Sequence, residues 1–145
     1  MNYPKISIIL PVFNAKKHIK KCIETLLNQT LQEIEIIAIL DCPTDGTAEI
    51  ILEYAKKDKR IIIVQNKHNL HIGESRNIGL LHARGEYIGF SDHDDFRDLT
   101  MYETLYNTAK ENCLDIVFSP CRHISLNNGN IIQHNSFNFS NYKEL

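Results

Sequence analysis

At 145 residues and a formal net charge of −2, the chain has the length of one domain and no general attraction to nucleic acid or anionic lipid. Its hydrophobic fraction of 43% suits a water-soluble globular protein. The longest apolar runs, such as residues 34–40, fall far short of the roughly 20 residues of a membrane helix, and no signal-peptide core opens the chain; we expect a cytoplasmic protein without a transmembrane segment.

The first element is β-rich. Residues 5–10 carry Ile6, Ile8, Ile9 and Leu10, apolar on both faces, the pattern of a parallel strand covered by helices on either side. It is expected to end at Pro11. Asn14 is a candidate cap for the helix that follows, on which Ile19, Cys22, Ile23, Leu26 and Leu27 share a face and Lys16, Lys17, Lys20 and Lys21 lie mostly outside it. Residues 34–40 repeat the double-sided strand. Asp41-Cys42-Pro43-Thr44-Asp45-Gly46-Thr47 is loop chemistry leading to a helix with Ala48, Ile51, Leu52 and Ala55. Residues 60–64 form a third strand, followed by a polar loop and a helix from about Glu74 to Ala83, stopped by Arg84-Gly85. A fourth strand spans 87–90.

After it comes a helix with Leu99, Tyr102, Leu105, Tyr106 and Ala109, capped by Asp98 or by a Thr100/Glu103 capping box. Residues 115–119 read as one more strand. Asn128-Gly129 is a hairpin turn between 122–126 and 130–134. Cys22, Cys42, Cys113 and Cys121 lack C-x-x-C spacing, which favours reduced structural thiols over a zinc site or disulfides.

This alternation implies an α/β fold with a doubly wound, mostly parallel, Rossmann-like sheet and an antiparallel hairpin near the C-terminus. Ligands of such sheets sit outside the carboxyl ends of the strands, here 11–14, 41–47, 66–73 and 91–95. The last of these holds Ser91-Asp92-His93-Asp94-Asp95. Three carboxylates this close repel, and a hard divalent ion, Mg²⁺ or Mn²⁺, relieves them while bridging to phosphate; the other reading is a solvated acidic turn before a helix. Neither G-x-G-x-x-G nor G-x-x-x-x-G-K-[ST] is present, so a metal on Asp92 and Asp94 would have to neutralise a diphosphate in place of a glycine cradle. Asp41 is placed either to accept from a base or ribose or to serve as a turn residue.

The ordered blocks Pro11-Val12-Phe13-Asn14, Asp41 with Thr44-Asp45-Gly46-Thr47, Gly73-Glu74-Ser75-Arg76-Asn77-Ile78-Gly79, Gly85-Glu86-Tyr87-Ile88 and Asp92-His93-Asp94-Asp95 resemble glycosyltransferase family 2, over residues 4–120. The resemblance implies the GT-A nucleotide-sugar-binding fold, with a core of residues 1–120 and, in 121–145, a hairpin and tail that begin an acceptor-side region. Nucleotide-binding positions carried over are Pro11, Phe13 (against uracil), Asn14, Asp41 (base or ribose), Arg76 (base or phosphate) and Asp92 (ribose). Asp94 takes the place of the direct metal ligand, with Asp92 as its D-x-D partner. Two departures stand out. The family commonly has Gly-Ser where this chain has Cys42-Pro43, and a small residue where it has His93, whose ring is expected to point away from the carboxylates. His68 and His71, three apart in a loop, lack a third ligand nearby.

The resemblance further implies metal-dependent, inverting transfer from a UDP-sugar to a saccharide or lipid-linked saccharide acceptor in bacterial surface glycan synthesis, with Mn²⁺ or Mg²⁺ as cofactor and a location at or near the inner face of the membrane. The family's general base lies downstream of the D-x-D loop, and neither Asp115 nor Glu144 fits that role, so the base is expected outside these residues. A nucleotide-sugar-binding or interaction module without turnover is a second reading, and a nucleotidyltransferase a third. Apolar residues around Val117 to Ile132 would favour a homo-oligomer if exposed.

Overall fold

The structure is a computed structural model that describes residues 3–124 and 131–135. Its elements are β1 (Ile6–Val12), α1 (Ile19–Leu27), β2 (Ile34–Leu40), α2 (Thr47–Lys57), β3 (Ile61–Gln65), α3 (His71–His82), β4 (Tyr87–Phe90) and α4 (Met101–Glu111). The four strands form one parallel sheet in the order β3-β2-β1-β4. Two short strands, β5 (Cys121–Ile124) and β6 (Ile131–Asn135), pair antiparallel as a separate ribbon. The Asn128-Gly129 turn lies outside the described residues.

The double-sided apolar runs become the two central strands, and every residue of β1 and β2 is buried. On one face Ile8, Leu10, Ile36 and Leu40 pack with Ile19, Ile23 and Leu26 of α1, Ile51 of α2 and Tyr102 of α4. Each such isoleucine or leucine contributes roughly 1.5–3 kcal/mol on leaving water. The other face is thinner: Ile9, Ile37 and Ile39 are covered by α3, whose buried residues are Ser75 and Gly79. The helix lies this close because Gly79 has no side chain; a Cβ there would stand 2.6 Å from Cγ2 of Ile9 and 3.0 Å from Cδ1 of Ile39. On the first face Gly89 serves β4 in the same way, under the Tyr102 ring.

Pro11 does not end β1, which runs on to Val12. The reason is the side on which its missing N–H falls. Ile9 O accepts from Ser91 N, and Val12 O accepts from Asp41 N, so odd-numbered residues of β1 turn their polar groups towards β4 and even-numbered ones towards β2. The pairing with β4 stops at Ile9↔Phe90. A proline two residues further therefore costs no ladder bond.

Three local expectations are corrected. The α1 N-cap is His18, without a side-chain cap bond, because Asn14 Oδ1 is committed to Thr44 in the next loop. The Thr100/Glu103 box does not form, since Glu103 accepts from the Thr30 hydroxyl at 2.7 Å instead. Residues 115–119 form no strand; β4 pairs with β1 alone, and Ile116 and Phe118 stay exposed, since β-rich composition does not by itself supply a ladder partner. Helix α3 also starts at His71, before the expected Glu74. The thiols of Cys22, Cys42 and Cys113 are free. Among the described residues no helix is long and apolar enough to cross a membrane.

At the amino end of the sheet, Glu35 locks α3 to the strands. Its Oε1 accepts from Ser7 Oγ at 2.6 Å and Arg84 N at 2.8 Å, and its Oε2 from Arg84 Nη2 at 2.6 Å and Nε at 3.1 Å. Burial pushes this carboxyl up, but the Ser7 hydroxyl and Arg84 outweigh burial and leave it below the ordinary glutamate value of 4.5.

Two predictions follow from this packing. Gly79→Ala should destabilise the protein by about 1–3 kcal/mol in urea unfolding, because backbone and core must shift to admit the methyl. Because Glu35 binds its proton less readily folded than unfolded, its contribution is full above pH 4.5 and is lost as pH falls below that value through the folded pKa. Glu35→Gln should therefore flatten the acid limb of stability against pH, read from unfolding midpoints at a series of pH values; an unchanged limb would contradict this.

Candidate functional site

The strand order reverses between β1 and β4: β2 and β3 follow β1 to one side, and β4 lies on the other. Such a switch point opens a crevice at the carboxyl ends. Here Pro11 and the early end of β4 pairing begin it, with Pro11 buried in the strand end and Phe13 43% exposed just beyond.

Polar contacts sew the surrounding loops together. Asn14 Oδ1 accepts from Thr44 N at 2.8 Å, Thr47 Oγ1 from Ala15 N at 2.9 Å, and Asp45 Oδ2 from Lys16 N at 3.0 Å. Asp45 Oδ1 takes the Thr47 amide and hydroxyl, and the hydroxyl above all holds the Asp45 carboxyl below its ordinary range. Thr44-Asp45-Gly46-Thr47 thus fixes the second loop to the first. Gly46 adopts φ 91° to start α2, a conformation that glycine takes without steric cost.

Asp41 is 3% exposed. Its Oδ1 accepts from Asn66 Nδ2 at 2.7 Å and Leu70 N at 2.8 Å, and Asn66 Nδ2 also reaches Ser75 Oγ at 3.1 Å. Leu70 is the N-cap residue of α3, so the carboxylate also meets the positive end of that helix. Both roles read from the sequence remain compatible: one oxygen ties the second and third loops, and Oδ2 takes no hydrogen bond among the described residues. Asn66 and Ser75 went unassigned in the sequence; the one signal for them was an amide and a hydroxyl flanking the third loop.

Each of the loops after β1, β2 and β3 holds a non-glycine residue in the left-handed region: Asn14 at φ 44°, Cys42 at φ 55° and His71 at φ 63°. Asparagine and histidine adopt this region more readily than most residues, whereas cysteine is strained there. At Cys42, where the resembling family has glycine, the backbone keeps the glycine-favouring conformation, and Sγ reaches Asn66 O at 3.4 Å.

Arg76, from α3, crosses to the acidic loop. Its Nη2 donates to Asp92 Oδ1 at 2.7 Å, and its guanidinium lies 5.7 Å from the Phe90 ring centroid. Nε is buried without a hydrogen-bond partner among the described residues. The third and fourth loops are thereby joined, and Asp92 is neutralised by a side chain the sequence assigned to base or phosphate. Asp94 is 60% exposed, with His93 Nδ1 4.0 Å from its Oδ1; that nitrogen is buried and has no hydrogen-bond partner among the described residues. Asp95 meets Arg97 at 3.4 Å.

Among the described residues no three His, Cys, Asp or Glu side chains form a metal-holding group, at His68 and His71 or in the acidic loop. An exposed carboxylate beside one held by arginine instead fits Mg²⁺ or Mn²⁺, ions that keep water and take substrate phosphate beside one or two protein carboxylates.

A sequence profile described as glycosyl transferase family 2 matches residues 7–145. The chain is 44% identical over 114 residues to the uncharacterized glycosyltransferase EpsJ of Bacillus subtilis, covering 79% of this chain and 33% of that protein. It is 43% identical over 115 residues to the cholesterol galactosyltransferase of Borreliella burgdorferi, covering 79% and 32%. Of solved structures, S. aureus TarS 1-349 in complex with UDP superposes with a TM-score of 0.69 at 30% identity, over 74% of this chain and 32% of that one. The mannosyltransferase PcManGT of Pyrobaculum calidifontis, in complex with GDP-Man and Mn²⁺, has a TM-score of 0.65 at 22% identity, over 74% and 32%, and shares the fold. The chain spans about a third of the length of these proteins.

Asp41→Ala leaves the Asn66 amide and the Leu70 N–H without their acceptor, so we expect a loss of about 2–4 kcal/mol in urea unfolding without any nucleotide. Asp41→Asn, which retains an acceptor oxygen, should lose less than half of that. Equal losses would show that the two bonds do not hold the loops.

Proposed function

This chain belongs to glycosyltransferase family 2, and on that premise we propose that its carboxyl edge binds the nucleoside-diphosphate sugar, a UDP-sugar, of a metal-dependent inverting glycosyl transfer. The observation that carries the reading is the Arg76–Asp92 contact at 2.7 Å, which gathers two separate family blocks at the switch point, beside Asp94. Phe13, exposed at the crevice mouth, offers a ring face to a flat base. Asp41 Oδ2 accepts from the base imide or a ribose hydroxyl, and Pro11 and Asn14 shape the loop beneath. Asp92 faces the ribose, and Asp92 and Asp94 hold Mn²⁺ or Mg²⁺. That ion, when bound, stabilises charge on the leaving diphosphate as a Lewis acid. Arg76 brings a fork of donors to oxygens of the same region.

Uridine is favoured because the structural relative TarS, at 30% identity, was solved with UDP and with UDP-GlcNAc. The acceptor is a saccharide or a lipid-linked saccharide, and the transfer serves surface glycan synthesis. The acceptor hydroxyl needs a carboxylate to take its proton while its oxygen attacks the anomeric carbon from the face opposite the leaving group; none of the described residues is assigned that part.

Calorimetric titration of UDP tests the reading. Binding is expected with Mn²⁺ present and is expected to vanish with EDTA or in Asp94→Ala, a substitution at an exposed residue that leaves the fold intact. Absence of heat in every arm, from protein shown to be folded, would overturn the donor site and leave a module without turnover.

A further inference from the structure

Lys16 and Lys17, in the turn leading into α1, and Lys20 and Lys21, in its first turn, fall within six residues, and all four are exposed. Ile19 N donates to Ala15 O at 2.9 Å and Cys22 N to His18 O at 3.1 Å, so helical bonding already spans this stretch. At 100° per residue the four lysines share one side, opposite Ile19, Cys22, Ile23 and Leu26, which are buried. None has a carboxylate within ion-pair distance among the described residues. The ammonium of Lys21 lies 4.1 Å from the centroid of the Phe96 ring.

Folding does not explain this cluster. Cations at a helix N-terminus oppose the helix dipole, and here two stand in the first turn and two just ahead of it. The other three helices follow the opposite rule. An acid stands in the first turn (Glu49, Glu74, Glu103) and a basic residue in the last (Lys56 and Lys57, His82, Lys110), whereas α1 has no first-turn acid and no last-turn base. Four charges that oppose the helix they stand in or lead into, in a chain of net charge −2, form a local field kept for something outside the chain.

We propose that this lysine face docks the protein on an anionic lipid bilayer. Lysine ammoniums are compact, hydrated point charges without the planar fork that reads a single phosphate or carboxylate. Four of them on one exposed helical side match a surface of many anionic headgroups, to which clusters of this size bind. The patch lies on the carboxyl edge: Lys16 N is tied to Asp45, and Lys21 reaches Phe96 in the loop after β4. A bilayer docked there lies beside the crevice, where an acceptor held in the membrane would be presented. The docking itself requires no nucleotide, so it stands or falls separately from the donor site.

Co-sedimentation with phosphatidylglycerol-containing vesicles, against pure phosphatidylcholine vesicles, tests it at low and at physiological salt. The wild-type chain should pellet with the anionic vesicles alone, less so as salt rises. Each lysine near such a surface contributes about fivefold to partitioning, so Lys17→Gln/Lys20→Gln should bind roughly 25-fold more weakly. Its melting temperature should stay level or rise, because the helix-end repulsion is relieved. Equal pelleting with both lipids, no pelleting at low salt, or undiminished binding by the double variant would overturn the proposal. So would an unchanged vesicle affinity accompanied by weakened UDP binding, which would move the lysines to the donor.

Discussion

The parting of β1 and β4 is the constraint on which the rest of the edge depends. A parallel sheet wound to both sides of its first strand has one place where neighbouring loops diverge, and ligand space exists there without any cavity having to be carved from the core. In this chain the parting is fixed by two features. The ladder stops at Ile9↔Phe90, and Pro11 comes at the next position whose N–H would have pointed that way. A residue with an N–H there would face the open crevice with a donor to satisfy. Proline removes the donor and holds the strand extended as far as Val12, so that Phe13 and Asn14 emerge at the mouth of the gap.

Around the gap the loops are joined in sequence rather than held singly. Asn14, Ala15 and Lys16 bind the second loop, Asp41 and Asn66 join the second to the third, and Arg76 joins α3 to the fourth. Each bond is worth about 1 kcal/mol net, while a left-handed cysteine such as Cys42 costs on the order of 1–3 kcal/mol. The two are of one size, so the strained backbone persists because a mesh of polar contacts over-determines it. A site held in this way enters binding with its geometry largely set, which is what recognition of a small polar ligand requires.

The sheet was legible in the sequence because its strands carry the simplest signal there is. Runs such as Ile34 to Leu40 are apolar on both faces, and only a buried parallel strand accommodates that. Helix α3 was harder to delimit. Its buried positions are Ser75 and Gly79, and small residues packed against Ile9 and Ile39 give no apolar period. Capping was misread at Asn14 and at Thr100/Glu103 for a single reason: short polar side chains have a local partner in view from the sequence and a distant one that only the fold supplies. Thr44 lies 30 residues from Asn14, and Thr30 lies 73 from Glu103. The acidic cluster and Asp41 could be singled out by type and place and Arg76 only through the family resemblance, but their mutual contacts could not, because the third loop meets the second and α3 meets the fourth only after two crossovers.

The Arg76–Asp92 pair also bears on how the edge behaves when empty. Asp92 shares its loop with Asp94 and Asp95, and three uncompensated carboxylates would repel the loop away from the sheet. A guanidinium at 2.7 Å cancels one of those charges from α3, Arg97 meets Asp95 at 3.4 Å, and Asp94 projects into water, where screening is strong. The pair is about two-fifths exposed, at 36% and 43%, so its bond is readily exchanged. In the proposed reading Asp92 would help to hold the ion and face the ribose, and Arg76, with donors besides the one it gives Asp92, would supply hydrogen bonds to the phosphates. Two distant blocks of the edge are thus held together, with no ligand needed, by a single salt bridge at a strand switch point, between residues 16 apart in sequence.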